Sequence, residues 1–114
     1  MDLFIFPFEK IERGSKVVIY GAGEFGKSSV DQILHRNYAN IICIVDRCVE
    51  GLYKDIPIYK FERLHEITNR ENIDYFIVAS GNFSSEMVGN LINCGICCEK
   101  IYFEWVQISK QHSD

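Results

Sequence analysis

The residues best suited to chemistry form one cluster. Three glycines, Gly21, Gly23 and Gly26, interrupt the run VVIYGAGEFGKSS between Val17 and Ser29. Their G-x-G-x-x-G spacing lets a strand stop abruptly, brings its backbone close to a pyrophosphate, and packs the following helix tightly on the strand. The start of that helix leaves N–H groups without intrahelical partners and carries partial positive charge, so Glu24 and Phe25 in its first turn join the glycines as candidate contacts. The same letters meet a second pattern. Gly21, Gly26, Lys27 and Ser28 spell G-x-x-x-x-G-K-S, a triphosphate loop in which the lysine would meet phosphate and the serine magnesium.

A second feature separates the two patterns. In the dinucleotide pattern an acid stands about 20 residues on, at the end of the next strand, to accept hydrogen bonds from ribose hydroxyls. Asp46 stands there, directly after IICIV, while the triphosphate pattern leaves Gly23 unexplained. The expected ligand is therefore a dinucleotide, NAD, with an ATP or GTP site as the alternative. The acid favours NAD over its 2′-phosphorylated form, and neighbouring Arg47 softens that preference. Ser80, in the Ser80–Asn82 loop after YFIVA, is a further candidate contact, weighed against a plain turn.

Catalytic groups are harder to find. None of the six tyrosines is followed four residues later by lysine, the pair a short-chain epimerase or reductase needs to lower a phenol pKa. Cys94-x-x-Cys97-Cys98 closes a helix instead of opening one, which is the wrong place for a redox pair. His35, His65 and His112 are scattered. The chain reads as a non-catalytic or catalytically incomplete module with no metal site.

Elements must hold these residues in place. Lys16–Tyr20, Ile41–Val45, Ile56–Tyr59, Tyr75–Ala79 and Ile101–Trp105 read as strands, and the proline in Ile56–Tyr59 suits an edge or a strand start. Helical spacing covers Glu24–His35, Phe61–Arg70 and the stretch through Met87, Val88, Leu91 and Ile92, with Ser84 or Ser85 as its cap. Alternating strands and helices predict an α/β fold of Rossmann-like type: three αβα layers around a mostly parallel sheet of about five strands. The ligand crevice then lies beyond the carboxyl ends of the strands. The domain boundaries expected are an aromatic lead-in over 1–15, the nucleotide-binding domain over 16–108 and a polar tail over 109–114.

Composition narrows the setting. The chain has 114 residues, 47% of them hydrophobic and 25% charged, with a formal net charge of -4. That size suits one domain. The acidic balance argues against a nucleic-acid partner, and no apolar run approaches the length of a membrane span. Five cysteines without disulfide-scaffold spacing, and an opening that makes a poor signal peptide, suggest a cytoplasmic protein.

With GAGEFG, IVD, GLYKDIPIY, YFIVAS and the Gly95–Ile101 turn in view, the chain resembles bacterial Rossmann-like domains attached to polysaccharide-biosynthesis proteins: sugar acetyltransferases, nucleotide-sugar dehydratases, and some glycosyltransferases and methyltransferases. The resemblance covers nearly the whole chain. It implies binding of a nucleotide-linked sugar through Gly21, Gly23, Gly26 and Asp46. The hexapeptide repeat of the acetyltransferases has no counterpart here. The expected partners are a small nucleotide ligand and a partner domain or a second copy of the chain. The rival reading is a ligand-free docking domain presenting Phe4, Phe6, Phe8, Phe103 and Trp105.

Overall fold

The computed structural model describes residues 2–3, 6–80, 83–103 and 106–107. The central strand, β2 (Lys16–Tyr20), explains the rest of the architecture. Its successive side chains point to opposite faces, so an unbroken apolar run must be covered on both. Val17 and Ile19 enter one core cluster, Val18 and Tyr20 the other, and all four are at most 1% exposed.

The chain leaves β2 through the glycine loop into α1 (Glu24–Arg36), which buries Val30 and Ile33 on the first face. Asn37 ends the helix in the left-handed conformation, at φ 49°. Next comes β3 (Asn40–Asp46), parallel to β2. β4 (Gly51–Tyr53) and β5 (Ile56–Lys60) form a hairpin, and β5 pairs in parallel with β3. α2 (Leu64–Arg70), entered through a 3-10 turn over Phe61–Arg63, crosses to β6 (Tyr75–Val78), which pairs with the other side of β2. α3 (Ser84–Asn93) then leads to β7 (Ile101–Tyr102). Leu64 and Ile67 of α2 and Leu91 of α3 fill the second face.

The result is the expected α/β layering around a six-stranded sheet ordered β4-β5-β3-β2-β6-β7. Five of those strands are parallel, and β4 is an antiparallel addition to the five strands expected from the sequence. Pro57 pairs with Leu52 and precedes the ladder to β3, so it sits at a strand start and β4 takes the edge. The hairpin turn places both Lys54 (φ 50°) and Asp55 (φ 68°) in the left-handed region. Asp31 of α1 holds this turn, with Lys54 Nζ at 2.8 Å from Oδ1 and the Tyr53 hydroxyl donating at 2.9 Å.

The lead-in is core cover. Phe6 is 1% exposed, and its N–H donates to Gln32 Oε1 at 2.9 Å. Phe8 and Tyr38 meet edge to face at 4.9 Å, and the Tyr38 hydroxyl donates to Ile11 O at 2.6 Å. Phe6 therefore belongs to the core and not to a docking face. Phe4, Trp105 and the tail over 109–114 lie outside the described residues. A separate two-stranded pairing joins β1 (Asp2–Leu3) to β8 (Val106–Gln107).

Candidate functional site

The three glycines do different work. Gly21 adopts φ +118°, and a side chain there would meet Ala79 O at 2.8 Å. At Gly26 a Cβ would lie 1.8 Å from Gly21 O, because the helix starts directly over the end of the strand. Both positions are fixed by the fold. Gly23 differs: a Cβ there would meet nothing within 4 Å, and its backbone is ordinary. It is exposed, it begins α1 without a side-chain cap, and it borders a crevice of about 260 Å³.

That crevice opens beyond the carboxyl ends of β2, β3 and β6, where a parallel sheet changes its direction of winding. Tyr20, Gly21 and Gly23 form one side, Asp46, Arg47 and Cys48 a second, and Ala79 and Ser80 a third. Phe83, Glu86 and Met87 close it from α3 and the residue before it.

Asp46 organises the loops around the opening. Oδ1 accepts from Ala22 N at 2.9 Å, and Oδ2 accepts from Cys48 N at 2.9 Å and Val49 N at 3.1 Å. One carboxylate thus ties the glycine loop to the turn after β3. A carboxylate offers about four acceptor positions, which leaves one for a further donor. Arg47 reaches across the opening to Glu86 at 3.2 Å, with both side chains more than half exposed. The Ser80 hydroxyl accepts from Phe83 N at 3.1 Å and so braces the turn into α3. Phe83 occupies the cap position and no side chain caps the helix, so Ser84 and Ser85 do not take the role expected of them. Gly81 and Asn82 lie outside the described residues.

Other candidates point elsewhere. Glu24 is exposed and Phe25 packs on the first core cluster; neither borders the crevice. Lys27 sits over the Tyr53 ring at 5.4 Å, and the Ser28 hydroxyl accepts from Gln32 Nε2 at 2.9 Å. The lysine of the triphosphate pattern thus faces β4 and the serine a residue one turn along α1, and neither borders the crevice. Cys48, Cys94, Cys97 and Cys98 are exposed and unpaired, and burial pushes the Cys43 thiol up to about 12. Among the described residues no group of three His, Cys, Asp or Glu side chains is placed to hold a metal. No helix among them is long and apolar enough to cross a membrane.

Tyr20, Phe83, Glu86 and Met87 were not anticipated as site residues. In the sequence Tyr20 is simply the last residue of a buried strand. The others become neighbours of the glycines only once α3 is laid beside β2.

Comparison with known proteins agrees with this fold. The family model described as C2185-like, N-terminal, matches residues 13–102, and the chain belongs to that family. No curated protein sequence matches it. Among solved structures it is similar to RSP, a Rex-family repressor, with TM-score 0.64, 18% identity, and coverage of 81% of this chain and 52% of that one. A second RSP structure, in complex with β-NAD+ and operator DNA, has TM-score 0.62 and 18% identity, with 80% and 50% covered. UDP-D-quinovosamine 4-dehydrogenase from Vibrio fischeri has TM-score 0.58 and 15% identity, with 85% and 95% covered. The chain spans about half the length of the repressor structures.

The operator complex corrects one expectation. Net charge was taken to argue against a nucleic-acid partner, yet a protein containing this fold is seen with DNA. Net charge sums over a whole surface and covers only the residues of this chain, so it does not decide the matter.

Proposed function

We propose that this member of the C2185-like N-terminal family binds a nucleotide-bearing ligand, NAD(H) or a nucleotide-sugar, in the crevice beyond β2, β3 and β6. The observation that carries the proposal is Gly23. The fold itself requires Gly21 and Gly26, whereas at Gly23 the chain leaves open space beside an uncapped helix start. A glycine that no neighbouring atom requires, at the mouth of such a crevice, fits the close approach of a phosphate.

The ligand's parts follow from the walls. Phosphates lie against the glycine loop and the start of α1, a ribose hydroxyl donates to the remaining acceptor position of Asp46, and Arg47 can exchange Glu86 for ligand phosphate. The base enters the chamber between Ala79, Phe83 and Met87. At about 260 Å³ the chamber suits one nucleoside and leaves the rest of the ligand outside. Similar structures support the ligand class: one is a complex with β-NAD+ and operator DNA, and another is a UDP-D-quinovosamine 4-dehydrogenase.

The role is that of a non-catalytic or incomplete module, set in surface-polysaccharide or nucleotide-sugar metabolism on the strength of the sequence resemblance. Five unpaired cysteines support a reducing, cytoplasmic location. Titration calorimetry of the chain with NADH, with a UDP-sugar and with ATP–magnesium tests the proposal. Saturable heat is expected from one of the first two. Binding of ATP–magnesium alone would overturn it.

A further inference from the structure

The crevice is bordered by a buried polar residue that the binding proposal does not use. Tyr20 is 1% exposed, and its ring stacks on Phe61 with centroids 4.7 Å apart. Its hydroxyl oxygen accepts from Asn90 Nδ2 at 3.2 Å. The hydroxyl proton has no acceptor among the described residues. Tyr20 borders the crevice, and the charged groups close enough to act on its hydroxyl, Arg47, Glu86 and Asp46, border the same crevice. Buried donors are almost always satisfied, because leaving one unpaired costs about 1–3 kcal/mol. A tyrosine at the end of this strand could have been a phenylalanine if packing were its only task.

We propose that Tyr20 is a base-reading residue: its hydroxyl, held from behind by Asn90, donates a hydrogen bond to a carbonyl oxygen or ring nitrogen on the edge of the nucleobase. The inference rests on the nucleotide reading above and adds to it the selection of the base. Ala79, Phe83 and Met87 give the chamber apolar walls that hold any flat ring without distinguishing one from another. Discrimination therefore falls to polar groups, and among those bordering the crevice Tyr20 is the buried one that the phosphate and ribose contacts leave unassigned. A site built to hydrogen-bond its ligand rejects analogues that leave the buried group unpaired, which makes a single donor an effective selector. Burial also pushes the Tyr20 hydroxyl pKa up, so the group remains a neutral donor at physiological pH.

The test uses four probes that share their phosphates and ribose and differ in the base: ADP, GDP, CDP and UDP, titrated into the wild-type chain and into Tyr20→Phe. Wild type should rank the four, and Tyr20→Phe should weaken the best of them about two- to tenfold, the range a lost neutral hydrogen bond gives, and compress the ranking. A purely structural role for the hydroxyl lowers all four affinities alike and keeps the ranking, which would overturn the inference. Equal affinity of the four for wild type would also overturn it, even if Tyr20→Phe failed to fold. Binding of none of them, or of NADH or a UDP-sugar, would instead remove the nucleotide reading itself, and the base-reading role with it.

Discussion

Gly23 and Gly26 are three residues apart, and the structure assigns them opposite vulnerabilities. Gly26→Ala puts a Cβ 1.8 Å from Gly21 O, a backbone atom that cannot swing aside, so the start of α1 must lift off the end of β2. Forcing extra volume into a packed site costs about 1–3 kcal/mol, and a backbone clash this close belongs at or above the top of that range. For a domain of this size each kcal/mol lowers the melting temperature by about 4 °C, so a fall of at least 10 °C is expected. In Gly23→Val the new Cβ meets no atom within 4 Å, and the residue keeps an extended backbone that valine accepts. Its cost is limited to the poorer helix start, about 1 kcal/mol, or about 4 °C. Its branched side chain, however, stands at the mouth of the crevice, where a phosphate would approach. Thermal melting of both variants, followed by calorimetry of Gly23→Val with whichever nucleotide binds wild type, reads the two effects separately. Unimpaired binding by Gly23→Val would refute the account of the crevice, and an unchanged melting temperature for Gly26→Ala would refute the account of the fold.

Two further predictions concern groups that brace the site or the sheet beneath it. Asp46→Ala frees three backbone donors at once, those of Ala22, Cys48 and Val49, and at about 1.5–3 kcal/mol for a hydrogen bond to a charged group it should destabilise the chain by at least 2 kcal/mol in urea unfolding and speed proteolytic cutting within 47–50. Cys43 carries a pH signature: its pKa is raised from 9.0 to about 12 by burial, so the folded state keeps the proton that the unfolded state loses above pH 9. Its contribution is therefore complete below pH 9 and declines as pH rises toward 12, by up to about 4 kcal/mol, and Cys43→Val should flatten the fall in stability between pH 8 and pH 10.5.

What the sequence disclosed followed a physical rule. Features set by local backbone geometry or by period were readable: the glycine spacing, the two-sided burial of VVIY and IICIV, and the acid at the end of IICIVD. β4 was not, because three residues are too few to show alternation and its turn carries Lys54-Asp55 in place of the Asn-Gly that usually announces such a hairpin. Asp46 was recognisable as an acid in the right place. Its three backbone partners were not, since they depend on how the glycine loop and the turn at Arg47–Val49 fold toward it.

The same distinction runs through the crevice itself. In the proposed binding mode, the groups placed to meet the invariant part of a nucleotide, its phosphates and ribose, are glycines and an acid whose spacing is imposed by the strand–helix–strand path. The groups placed to meet the variable part come from β2, from the residue before α3 and from α3: Tyr20, Phe83 and Met87. To a reader of periodicity Tyr20 and Met87 are ordinary core positions, because a side chain bordering a crevice satisfies the same apolar pattern as one buried in the sheet. Only the Tyr20 hydroxyl departs from that pattern, as a buried polar group whose oxygen accepts a hydrogen bond from Asn90, 70 residues away. If Tyr20 reads the base as proposed, chains sharing this loop and acid would select different bases by changing a single atom at the end of the first parallel strand, with no change in the motif that identifies them.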